Sequence, residues 1–255
     1  MAKVISINNY KGGSGKTSAS INVAYELSKR NHKVLLIDLD PQGDASSKFF
    51  KDFKDRKGIC EALTFVADVQ DCISKAFDNL DVLTSNNNLN AISDEMQRSS
   101  KIAILKKLID KVKDNYDYVI LDNNPKLNII LTNCIYSSDY IIVPVNIDNN
   151  AVKGANNIIE SIMDVINNAP IDINVDIRIL MTMVTMSKGK PTNIADLVIN
   201  AMKLSHGKRM FSTYIRMQPK AAQKSSLVTS YFAAEEENKL SEDYKNLVNE
   251  IEELN

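Results

Sequence analysis

Cysteine and glycine are scarce in this chain, and long apolar runs are missing. The three cysteines, Cys60, Cys72 and Cys134, are odd in number and never stand in C-x-x-C spacing. That pattern argues against a disulfide framework, a zinc site or an iron–sulfur cluster. No apolar stretch approaches the roughly 18 residues of a membrane span, and no signal peptide opens the chain, so a cytoplasmic protein is expected. The last residues, Glu250-Ile251-Glu252-Glu253-Leu254-Asn255, are acidic where a membrane-surface helix is basic.

What is present is an ordinary soluble composition. The 255 residues are 44% hydrophobic and 25% charged, enough for one large α/β domain over residues 1–255. The net charge of −1 conceals an uneven distribution. Between Ile177 and Ala234 nine bases face the single acid Asp196, and residues 197–234 carry no acid at all. A local basic surface is expected there.

Three of the eight glycines fall within four residues, in Lys11-Gly12-Gly13-Ser14-Gly15-Lys16-Thr17-Ser18. The stretch follows the β-branched run 3–8 and precedes a helical pattern over 17–30 with apolar Ile21, Val23, Ala24 and Leu27. A strand, a glycine loop and a helix N-terminus in that order make a phosphate cradle. Lys16 is placed for the β and γ oxygens, and the Thr17 hydroxyl for a bridging Mg²⁺. Glycine is absent from position 10, where the ordinary G-x-x-x-x-G-K-[ST] pattern has it, and Tyr10 stands there; the loop gains a second cation in Lys11.

The run 11–18 resembles the deviant Walker A box of the ParA/MinD superfamily of dimeric ATPases, and residues 35–46, LLIDLDPQGDAS, resemble ParA itself. The resemblance implies a P-loop fold, a doubly wound, mostly parallel sheet with helices on both faces. It implies ATP and Mg²⁺ as cofactors, bound by Lys11, Gly12, Gly13, Ser14, Gly15, Lys16, Thr17 and Ser18. It also implies a homodimer in which Lys11 reaches the partner's phosphates. Asp38 is then assigned to the magnesium side together with Thr17, and Asp40 to the attacking water. The strand 116–122 resembles the family's Walker B strand and puts Asp122 in the magnesium surroundings; the following Asn123-Asn124-Pro125-Lys126 departs from the family's Asp-x-Pro-Pro. Segments around Met183 and Ile215 are similar to those bordering the nucleotide base.

Further elements expected are a strand at 81–84, a polar loop at 86–88, one long amphipathic helix over 90–114, a strand at 140–145, a helix following Gly154, strands at 178–184 and 211–216, and a closing helix from Ser241. In ParA-like proteins late basic residues contact DNA, which points to Arg216, Lys220 and Lys224. The implied function is ATP-gated, sequence-nonspecific DNA binding in plasmid or chromosome partition, nucleoid-associated, with a centromere-binding ParB-like partner that stimulates slow hydrolysis. The start of the loop at residue 11 leaves no room for an N-terminal helix-turn-helix. Alternatives are a ParA-like positioner of another cargo, a MinD-like membrane-cycling ATPase and a nucleotide-binding scaffold without hydrolysis.

Overall fold

The computed structural model describes residues 2–126, 128–170, 172–217 and 239–254. Its elements in chain order are β1 (Lys3–Ile7), α1 (Lys16–Lys29), β2 (Val34–Leu39), α2 (Ser46–Phe49), α3 (Ile59–Leu63), α4 (Val69–Cys72), β3 (Ile73–Phe77), β4 (Leu80–Leu83), α5 (Leu89–Arg98) and α6 (Ile104–Val112). They continue with β5 (Tyr118–Asn123), α7 (Ile129–Ser137), β6 (Tyr140–Asn146), α8 (Ala151–Asn167), β7 (Asp176–Val184), β8 (Met186–Ser187), β9 (Lys190–Pro191), α9 (Asn193–His206), β10 (Met210–Arg216) and α10 (Lys239–Glu252).

Eight strands form one sheet in the order β10-β7-β6-β1-β5-β2-β4-β3, parallel throughout except at the edge pair β3–β4. Alternation along each central strand sends successive side chains to opposite faces. Ile5, Ile7, Val34 and Leu36 pack with α1 and α10, whereas Val4, Leu35, Ile37 and Leu39 pack with α3 through α7. Beyond β1 a third cluster joins β6 and β7 to α8 and α9. Strands covered on both faces read as continuous apolar runs, as these central strands do. Because the central strands are parallel, their carboxyl ends share one edge, the edge where such sheets bind ligands.

α1 begins after Gly15, whose φ of +88° only glycine adopts without strain, and its end is marked by Asn31 at φ +67°. The closing helix buries Tyr244, Leu247, Val248 and Ile251 against α1 and β10 as its stripe requires. Arg30 ties it down, bonding Glu252 at 2.6 Å, Asn249 at 2.7 Å and the Lys245 carbonyl at 2.9 Å, while His32 meets the other Glu252 oxygen at 2.8 Å. On the outer edge of β10, where its ladder with β7 is irregular, the amides of Ser212 and Thr213 each donate to the Glu250 carboxylate at 2.7 Å.

Two expectations need correction. The helix expected over 90–114 is two helices, α5 and α6, because the Ser99 hydroxyl bonds back to the Glu95 carbonyl and Ser100 turns to φ +50°. The helix expected after Gly154 starts earlier, so that Gly154 lies within α8. The sequence reading also lacked β3, the small hairpin β8–β9 and α9.

Candidate functional site

The carboxyl edge of the sheet gathers the glycine loop after β1, the acids ending β2 and β5, and the polar ends of β6 and β7. Gly12 and Gly13 are exposed at the loop, Gly13 with φ +71°, and Ser14 is buried. Lys16, the first residue of α1, is 7% exposed, with its ammonium 3.4 Å from the Lys11 carbonyl. Burial pulls its pKa down, against the raising fields of Asp122 and Asp40. Thr17 and Ser18 follow in the same first turn, Thr17 within bonding reach of Asp122.

Asp38 and Asp122 are register partners on β2 and β5, both fully buried. Asp38 spends both oxygens on the loop that follows it: one accepts from the Asp40 amide at 3.0 Å, the other from the Ser46 amide at 2.8 Å and its hydroxyl at 2.7 Å. That loop turns at Gly43 (φ +68°), where an added Cβ would stand 2.3 Å from the Phe53 ring. Asp122 accepts from Ser20 at 2.8 Å, and its second oxygen is buried without a partner among the described residues. Burial raises the pKa of both acids; Asp38 further raises Asp122. Two neighbouring buried carboxylates, the second lifted by the first, with one oxygen orphaned and a threonine hydroxyl beside it, fit a Mg²⁺ held through Thr17 and water. Asp40, expected to serve the attacking water, lies one residue beyond β2 and half-exposed, where its side chain accepts from the Gln42 amide at 2.9 Å.

Lys11 is exposed and forms an ion pair with Asp148, just past β6; the bond from Lys11 holds the Asp148 carboxyl below its ordinary range. Asn146, the last residue of β6, donates to the Gly13 carbonyl at 3.1 Å, and Thr182 on β7 donates to the Ser14 carbonyl at 2.9 Å. Sequence reasoning had not singled out Asn146 or Asp148; a polar residue closing an apolar parallel strand is the signal that points to them. In the departure after Asp122, the Asn124 side chain caps the Lys126 amide at 2.8 Å, and the Lys126 ammonium lies exposed, 3.4 Å from Asn90 on α5. That lysine therefore does not fill the phosphate cradle.

Of the residues expected at the base, Met183 is 38% exposed with φ +54°, at the carboxyl edge. The Ile215 side chain is 6% exposed within the α10 side of the core, so it is not a base contact. Arg216 also needs correction as a DNA contact. Its guanidinium is 17% exposed and grips Asp243 at 2.5 and 2.7 Å, because α10 brings that acid beneath the end of β10. Lys220 and Lys224 lie outside the described residues. Within residues 177–217, the cations that make no ion pair among the described residues are Lys188 and Lys190 on the β8–β9 hairpin, and Lys203, Lys208 and Arg209 around the end of α9. At the hairpin tip Lys188 and Gly189 both have positive φ, a type I′ turn that projects the two lysines.

A parallel sheet with a glycine loop, a buried lysine and two buried acids at its carboxyl edge defines a P-loop nucleoside-triphosphate-binding protein. The AAA domain family matches residues 2–179. Soj, the sporulation initiation inhibitor of Bacillus subtilis, is 32% identical over 218 residues, 84% of each chain. The chain belongs to the ParA family of partition ATPases. Among solved structures, a plasmid partition protein of Borrelia burgdorferi bound to AMPPNP is 25% identical with a TM-score of 0.81, covering 99% of both chains. An ATP complex of a Cyanothece McdA variant superposes with a TM-score of 0.86 over 100% of this chain and 97% of its own at 19% identity, a likeness of fold.

Proposed function

We propose that this protein is a DNA partition ATPase whose ATP-bound homodimer holds DNA through phosphate contacts and lets go after hydrolysis. The observation that carries the reading is the placement of Lys11 at the rim of the loop, exposed and away from its own phosphate cradle, which Lys16 already serves. A second lysine so placed suits the phosphates of a facing copy. Mg²⁺ held through Thr17, with Asp38 and Asp122 behind it, would neutralise the β and γ oxygens. The loop amides, Lys16 and the partner's Lys11 stabilise charge on the transferring group, and Asp40 orients the water. A half-exposed aspartate is a weak base, so turnover is slow and open to stimulation by a centromere-binding adaptor.

The DNA surface is assigned to Lys188 and Lys190, joined by the basic end of α9, in place of Arg216. Phosphate contacts alone lose affinity with a logarithmic salt slope of about −0.9 per phosphate neutralised. Doubling them in a dimer makes binding depend on ATP at physiological salt. No helix among the described residues is long and apolar enough to cross a membrane, and α10 spends its apolar stripe on α1 and β10, which counts against a membrane-cycling role.

The test is binding to random-sequence duplex DNA at about 100 mM salt without nucleotide and with ADP, ATP or a nonhydrolysable analogue, with anionic liposomes in parallel. Binding only with ATP or the analogue supports the reading. DNA left unbound in every state overturns it and leaves the positioning of another cargo; liposome binding restores the membrane cycle.

A further inference from the structure

We infer that Asn146 and Thr182 are a positioning pair that presets the phosphate loop before nucleotide arrives. The inference rests on reading that loop as the phosphate site and adds residues outside the motif to it. Loop amides can face a phosphate only when the matching carbonyls turn away, and a carbonyl turned into protein needs a donor. The two carbonyls that turn away find theirs on neighbouring strands. Asn146 and Thr182 stand directly opposite each other in the β6–β7 register. The Asn146 side-chain amide donates to the Gly13 carbonyl at 3.1 Å. The Thr182 hydroxyl lies 2.9 Å from the Ser14 carbonyl and 3.0 Å from Asn146 Oδ1, so its one hydrogen serves either acceptor and links the pair.

Burial makes this arrangement count. Ser14 is fully buried and Thr182 is 3% exposed, so water does not replace the hydroxyl. The methyl side of Thr182 closes on Gly15, 3.8 Å from where a Cβ would stand. The same strand end meets the loop at alternate residues, as the Pro144 carbonyl accepts from Asn9 at 2.6 Å, Asn146 holds Gly13 and Asp148 holds Lys11. Thr182, expected from its neighbourhood to serve the base, turns its hydroxyl to the back of the phosphate loop.

Replacing Thr182 by valine keeps the shape and deletes the donor. Thr182→Val is expected to weaken ADP and ATP binding by about tenfold, the effect of one buried unsatisfied carbonyl, with KM rising more than kcat falls. Thr182→Ser should return affinity to within about threefold, a rescue that a role in packing alone does not give. Asn146→Asp, which replaces the donor with an acceptor facing the Gly13 carbonyl, should lose at least as much as Thr182→Val. The measurements are titration with fluorescent ADP and ATP, steady-state hydrolysis and thermal melting of each variant. Wild-type affinity in Thr182→Val, or equal loss in valine and serine variants, overturns the inference. If the valine variant does not fold, wild-type affinity in folded Asn146→Asp does so. Wild-type protein that binds neither ADP nor ATP would instead defeat the phosphate-site reading itself.

Discussion

Lys11 is paired to Asp148 within its own chain, two residues beyond the end of β6. In the proposed dimer the lysine would leave this acid for the partner's phosphate, since it cannot hold both at once. Lys11 is 56% exposed and Asp148 31%, which limits the pair to about 1 kcal/mol or less. Asp148→Ala should therefore lower the analogue concentration needed for dimers only about two- to fivefold. Lys11→Ala should abolish them while ADP still binds. Light scattering after size exclusion, with a nonhydrolysable ATP analogue, measures both.

Asp40→Ala should reduce kcat on the order of a hundredfold or more and leave ATP affinity within a few fold, since Asp40 stands outside the strand and its side chain bonds locally, to the Gln42 amide. Phosphate release with and without DNA, set beside nucleotide titration, separates the two.

Lys188→Ala with Lys190→Ala should flatten the salt dependence of DNA binding by about two units of slope per subunit if both reach phosphates. Melting temperature should not change, because the tip of the hairpin is exposed. Binding isotherms at several salt concentrations read the slope directly.

Arg216→Ala should act on stability. The guanidinium and the Arg216 amide both bond Asp243, which is 5% exposed, and removing one partner strands a buried carboxylate at a cost of about 2–4 kcal/mol. Denaturant unfolding measures that loss; an unchanged midpoint would return Arg216 to the list of DNA contacts.

Glu252 offers a pH test of the α10 clasp. Burial alone raises its pKa, but bonds from His32 and Arg30 outweigh burial and leave it lowered. A carboxylate depressed in the folded state contributes stability that is full above its ordinary pKa of about 4.3 and fades as pH falls through the lower folded value. Melting of the wild type should therefore decline in that acid window more steeply than melting of Glu252→Gln, which is less stable at neutral pH.

The phosphate loop was legible because three signals follow one another directly in residues 3–27: an apolar strand, a glycine cluster and a helical stripe. The same reasoning failed at Arg216 because its partner lies 27 residues later, and charge counting in a segment ignores what packs beneath it. A signal was available, since Asp243 shares the apolar phase of Tyr244, Leu247 and Ile251, and an acid on a buried stripe announces an internal cation. The break between α5 and α6 was hidden by a stripe whose spacing survives the interruption, and only the two serines at 99 and 100 hinted at it. Ile215 was expected at the border of the base because its strand resembles the family strand there, yet alternation turns that side chain into the core.

The Glu250 bonds to Ser212 and Thr213 bear on how copies of this protein can join. A strand arriving at β10 would find those two donors already committed to a carboxylate, and its own backbone oxygens would meet a negative charge. Among the described residues β10 ends the sheet on that side, so this carboxylate guards its edge against a further strand.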